Sequence, residues 1–193
     1  MVEQVADHRQ LMRAAIERDG DGQRSLLEGD QGAAREAFTA AAELYRRSWE
    51  AAPPGSYGRL VGMLKSAILA GSGEAEAEYV RVALGQGEDP SPTASYAQAI
   101  AALIVGDDDG ARQSAARMRA GSGAFGRTAD AIAALADRHD DLFAQSLRAI
   151  VEDFSQREQF LTGVPMADTA LMLERLGKRR GMSADIESPL FPR

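Results

Sequence analysis

Four short polar runs in this chain have the residue types and spacing that could do chemistry. Asp19-Gly20-Asp21-Gly22 sets two carboxylates among glycines, the composition of a calcium loop. Such a loop needs glycine at its sixth position and a bidentate acid at its twelfth. Arg24 stands at the sixth and only Asp30 at the twelfth, so the run reads instead as a helix stop followed by a turn. His139-Asp140-Asp141 offers an imidazole beside carboxylates, the ingredients of an acid–base pair. The plainer expectation is that His139 closes one helix and the aspartates open the next, where negative charge suits the helix dipole. Lys178-Arg179-Arg180 is basic enough to hold an anion, but at a helix C-terminus it complements the dipole. The fourth run, Asp107-Asp108-Asp109, crowds three like charges into one turn, more than capping a helix requires.

The remaining inventory excludes more than it offers. There is no cysteine, so disulfides and thiolate chemistry are out. His8 and His139 are the only histidines, and neither has metal-ligand spacing. Gly71-Ser72-Gly73 and Gly121-Ser122-Gly123 lack the preceding strand and following lysine of a phosphate loop. No catalytic residue, metal or cofactor is expected, and the protein is not expected to be an enzyme. A formal charge of −7 argues against nucleic acid and favours a basic partner. The polar N-terminus is no secretory signal, and the near-apolar stretch Ala97 to Val105 is too short for a bilayer. A soluble, cytoplasmic protein is expected.

The elements that would position these runs are helices. Hydrophobic residues make up 45% of the chain, mostly Ala, Leu, Ile and Met, and aromatics only 6%, a mixture that favours helix over strand. A first helix is expected from Val2 to Arg18, and a short one through Leu26 and Leu27. A long helix from Gln31 to Ala52 follows, with Phe38, Ala41, Tyr45 and Trp49 as its apolar stripe. The stripe reads as core, although Trp49 near the helix end could instead face a groove. Pro53-Pro54-Gly55 ends this helix, and Ser56 is the expected cap of a largely buried helix, Tyr57 to Ala70, whose only charges are Arg59 and Lys65. Further helices are expected at Glu74 to Leu84, Thr93 to Val105, Gly110 to Arg119, Phe125 to Arg138, Asp140 to Gln159 and Pro165 to Arg180. Gly85 to Pro92 is the longest loop. The tail from Gly181 is expected to be extended and to pack back through Leu190 and Phe191.

Gly29-Asp30 before Ala34, Phe38 and Ala41 resembles the turn and second helix of a tetratricopeptide repeat. Weaker copies begin at Gly106-Asp107 and His139-Asp140, with irregular spacing. The expected fold is therefore all-α: stacked antiparallel helical hairpins in a degenerate tetratricopeptide-like array, one compact domain over residues 1–193. In such a stack successive turns line one edge. Here that edge would carry Glu28 and Asp30, then Asp107, Asp108 and Asp109, then Asp140 and Asp141. The last five are the candidate partner-binding residues.

The C-terminal third carries a second resemblance. Ala144, Leu147, Ile150 and Arg157, then Val164-Pro165, Ala170-Leu171, Arg180-Gly181 and the ending Glu187-Ser188-Pro189-Leu190-Phe191-Pro192, resemble the all-helical immunity protein family 49 of bacterial polymorphic toxin systems. The resemblance covers roughly Ala129 to Arg193. It implies a cytoplasmic antidote that binds and occludes a cognate toxin, a basic domain if the acidic edge receives it. The alternative is a tetratricopeptide-like adaptor that grips a peptide or protein in an assembly.

Overall fold

Helix α1 (His8–Leu27) is where glycine means something other than a break. The structure, a computed structural model, describes residues 7–85 and 91–192, so the expected start at Val2 lies outside the described residues. Asp7 caps α1 by accepting from the Arg9 N–H at 2.9 Å. The helix then runs unbroken through Gly20 and Gly22, where the sequence suggested a stop. Glycine in a helix costs about 1 kcal/mol against alanine, and close packing offsets that here. A Cβ on Gly22 would stand 2.8 Å from the Phe38 ring, and one on Gly20 3.2 Å from the Thr162 carbonyl oxygen. Both glycines let other chain segments approach the α1 backbone.

Helix α2 (Gln31–Glu50) is capped by Asp30, which accepts from the Ala33 N–H at 2.9 Å. Its stripe is core as expected, with Phe38, Ala41 and Tyr45 buried. Trp49 is half-buried and packs on Tyr57 with ring centroids 5.7 Å apart, so it belongs to the core margin and not to a groove. Helix α3 (Gly58–Ala70) begins later than expected. Ser56 does not cap it with its side chain; only its carbonyl takes part, accepting from the Arg59 N–H. Gly62 of α3 repeats the α1 device, because a Cβ there would meet the Tyr45 ring at 2.8 Å. Each of these large rings needs a glycine on the facing helix.

The remaining helices are α4 (Glu74–Leu84), α5 (Pro92–Val105), α6 (Asp108–Met118), α7 (Gly123–Ala136), α8 (Asp140–Ser155) and α9 (Asp168–Lys178). Most of the expected loop between α4 and α5 lies outside the described residues. Ser91 caps α5, with Pro92 in the first turn, where its missing N–H costs nothing. Helix α8 stops at Ser155, short of Gln159, and α9 starts at Asp168, beyond Pro165. The connector 156–167 is therefore longer than the sequence suggested, and it becomes a wall of the site described below.

Successive helices pack on one another as hairpins, and α3, α5 and α7 also lie side by side as every second helix. Helix α9 packs across α3, α7 and α8. The fold is all-α, with no strand among the described residues beyond an isolated bridge between Ser188 and Phe191. One apolar core joins residues of all nine described helices and the tail. Met182, Ala184 and Ile186 alternate inward along the extended tail, Phe191 is buried, and the Leu190 carbonyl accepts from the Ala167 N–H at 2.8 Å. Deletion from Pro189 onward removes that aromatic anchor. It should cost about 1–3 kcal/mol and lower the melting temperature. An unchanged melting temperature would show that the tail adds nothing to the fold.

Candidate functional site

The helix turns do gather at one end of the stack, as the sequence suggested, but that end is not a bare acidic edge. Arg112 near the start of α6 pairs with Asp137 at the end of α7 at 2.8 Å, which ties the α5–α6 turn to the α7–α8 turn. The basic end of α9 enters the same region. Arg175 donates to the Leu69 carbonyl, Arg179 to the Ser72 carbonyl at 2.8 Å, and Arg180 to the Leu103 carbonyl at 2.7 Å. The basic residues at the end of α9 thus serve the open carbonyl ends of α3 and α5 rather than only their own helix. Arg179 also meets Glu74, and Lys178 meets Glu174.

Three of the five expected partner-binding aspartates have partners within the chain. Asp107 caps α6 through the Gly110 N–H at 2.9 Å. Asp108 pairs at 2.5 Å with Arg180, which is only 10% exposed. Asp109 pairs with Arg112. Internal cations relieve the repulsion that seemed to call for a partner. Asp140 and Asp141 remain exposed in the first turn of α8, where the dipole accounts for them, and His139 sits at the N-cap without a side-chain bond.

A different site lies toward the other end of α8, from Ile150 onward, ~15–20 Å along the helix from Asp140 at ~1.5 Å per residue. Here α7, the end of α8 and the connector 156–167 enclose a cleft of about 260 Å³. Helix α8 carries Ile150, Val151 and Phe154 inward on one face, so Ile150 and Phe154 form one wall. Phe125 of α7 and Phe160, Val164 and Met166 of the connector form the rest. The connector is anchored on α1, because the Thr162 hydroxyl donates to Gln23 Oε1 at 2.6 Å and the Thr162 carbonyl lies over Gly20. Arg127 and Arg157 both pair with Asp153 at the rim, the second at 2.6 Å, with Arg157 stacked 3.6 Å over the Phe154 ring.

The floor of the cleft is polar. Lys65 of α3 reaches Asp168 Oδ2 at 2.5 Å and donates to the Thr169 hydroxyl at 3.2 Å. Burial alone would lower the Lys65 ammonium; the Asp168 carboxylate, together with Tyr96 and Asp19, outweighs that and holds its pKa above the ordinary lysine value. Tyr96 of α5 lies beside this pair, its phenol raised by burial. Behind them Asp19 of α1 accepts from Ser66 at 3.0 Å and Tyr45 at 3.3 Å. Burial, reinforced by the Asp168 charge, pushes the Asp19 carboxyl up to about 6. The run that resembled a calcium loop thus spends its first aspartate inside the core. Its second, Asp21, pairs with Arg18 and Arg24.

Chemically, this cleft can bind. Its one ammonium is held by a carboxylate, and the Thr169 hydroxyl is shared between the two, accepting from Lys65 at 3.2 Å and donating to Asp168 Oδ1 at 3.4 Å. Sequence reading missed the cleft. The one available signal was Lys65, a lone cation on an otherwise apolar helix, which must find a partner once buried. No helix of the described residues is long and apolar enough to cross a membrane. Compared with known proteins, the chain matches no family model, no curated protein and no solved structure.

Proposed function

We propose that the protein works by binding another protein, as an immunity protein that occludes a toxin, and that the partner is received at the cleft between α7, α8 and the connector. The observation that carries this reading is Leu161. It is 73% exposed at the mouth of an aromatic-walled cleft, beside an arginine stacked on phenylalanine. An apolar socket with an exposed leucine and arginines at its rim has the makeup of an interface hot spot. Ile150, Arg157 and Val164, among the residues that resemble immunity protein family 49, all line this cleft. The formal charge of −7 would steer a basic toxin toward the molecule from any side.

The test is binding to the product of a toxin-like gene adjacent to this one, with Leu161→Asp as the probe. The exposed leucine contributes little to the fold, so the variant should melt with the parent. It should bind at least tenfold more weakly, the loss of about 1.4 kcal/mol or more expected at a hot spot. A parent protein that ignores the neighbouring product removes the immunity reading. Undiminished binding by the variant moves the contact away from the cleft.

A further inference from the structure

The charges that line the cleft do not balance. Lys65, Arg127 and Arg157 face it with Asp153 and Asp168, three cations against two carboxylates. At the floor Lys65 is matched by Asp168 at 2.5 Å, and Asp19 stands behind them. The excess therefore lies at the rim, where Arg127 and Arg157 share the single carboxylate of Asp153, one on each oxygen. No other acid among the lining residues takes up the surplus. Outside the cleft, Asp130, three residues on from Arg127, pairs with Arg119, and Glu152 accepts from Gln156 at 2.9 Å. Glu158 does not line the cleft either. In a chain of formal charge −7 the rim is a local positive spot.

Both guanidiniums have donors to spare. Each gives Asp153 one nitrogen, Nη2, and bonds no other acceptor among the described residues. The Arg157 guanidinium lies 3.6 Å over the Phe154 ring, which fixes its plane and leaves its edge for a carboxylate. The two side chains are 36% and 38% exposed, so a ligand at the mouth reaches them. Beneath them Phe125, Ile150, Phe154 and Phe160 wall a volume of about 260 Å³, sized for one ring. The floor sets the orientation. An anion driven inward would meet Asp168 and Asp19, whereas an apolar end meets the rings and leaves its charge at the rim.

We infer that the cleft is a binding site for a small aromatic carboxylate, its ring seated among Phe125, Phe154 and Phe160 and its carboxylate on Arg127 and Arg157. This site stands apart from the protein-binding reading, although ligand and partner would cover the same mouth.

The full chain is titrated by NMR with phenylacetate, its neutral amide phenylacetamide, the cation phenethylammonium and ring-free acetate. Phenylacetate should bind about threefold or more tightly than the amide, the step expected of a half-exposed charge contact, and the cation should bind weakest of the three. Added salt should erase that step. Acetate should not bind measurably, since the ring supplies the apolar contact. Arg127→Gln and Arg157→Gln each leave the rim neutral, so each should bring phenylacetate down to the level of the amide. Half-exposed ion pairs hold little of the fold, so both variants should melt close to the parent. Asp153→Asn doubles the surplus and should tighten phenylacetate by about threefold, a gain that misfolding cannot mimic. Equal binding of phenylacetate and phenylacetamide, or binding of acetate as tight as that of phenylacetate, overturns the site. So does an acid preference that survives both arginine variants, or weaker phenylacetate binding by an Asp153→Asn protein that melts with the parent.

Discussion

Replacing Arg180 with methionine is expected to cost about 3 kcal/mol of stability. The side chain is 10% exposed and makes two bonds that hold different parts of the fold, to Asp108 at 2.5 Å and to the Leu103 carbonyl at 2.7 Å. Methionine matches much of the arginine stem but leaves Asp108 unpaired and the Leu103 carbonyl with only the Gly106 N–H, at 3.3 Å, as its donor. Breaking a buried pair from one side costs about 3–5 kcal/mol, and the lower end applies because Asp108 is 27% exposed. Asp108→Asn alone should cost about 1 kcal/mol, since the amide still accepts from Arg180. The double variant should cost less than the sum of the two, with a coupling of about 1–3 kcal/mol in urea unfolding. Additive losses would mean that Arg180 acts only through Leu103. The same variant also probes the acidic turns as a docking surface. If a basic partner lands on Asp107, Asp108 and Asp109, removing Arg180 should speed its association; at the cleft, the rate should stay the same.

The hairpin order was legible in the sequence because the signals that set it are local. Asp30 and Asp107 each cap the helix they precede, as their position after Gly29 and Gly106 suggested. Phe38 and Tyr45 fell on one helical face and were buried. The misreading of α1 has an equally local cause. A glycine that ends a helix and a glycine that admits a ring are the same letter, and only the facing residue separates them. Phe38 over Gly22, Tyr45 over Gly62 and Phe143 over Gly177 are contacts between helices, invisible to a window of sequence.

The cleft was illegible for the same reason on a larger scale. Its floor takes Lys65 from α3, Tyr96 from α5 and Asp168 from α9, and its wall is a connector whose length depended on where α8 ended. No spacing rule links these positions. The acidic turns, by contrast, were conspicuous in sequence. In the α5–α6 turn Asp107 caps α6, Asp108 pairs with Arg180 and Asp109 with Arg112, while Asp140 and Asp141 stay exposed in the first turn of α8.

Asp19→Asn is expected to stabilise the protein at pH 8 and to leave it nearly unchanged near pH 5. Asp19 is 6% exposed, and its carboxyl is pushed up to about 6 from the ordinary 3.8, first by burial and then by the Asp168 charge. Lys65, Ser66 and Tyr45 oppose the shift without cancelling it. Between those two pKa values the folded protein holds a proton that the unfolded chain has released. The unfolded state therefore binds fewer protons, and stability from this group falls as pH rises through the window. Above about pH 6 the loss is complete. A shift of about two units corresponds to about 3 kcal/mol, an upper bound on what an uncharged residue can recover. Asparagine keeps the shape; its one amide oxygen can still accept from Ser66, while its NH2, in the place of Oδ2, must donate to the Tyr45 hydroxyl, which then turns its own proton away. It gives up the attraction to Lys65, so a gain of about 1–2 kcal/mol at pH 8 is expected. Chemical unfolding of parent and variant at the two pH values measures the difference directly. Other carboxylates titrate in both proteins and cancel in it. If the two curves run parallel across the window, Asp19 is ionised in the folded protein throughout, and the polar floor beneath the cleft carries one more negative charge than its burial allows.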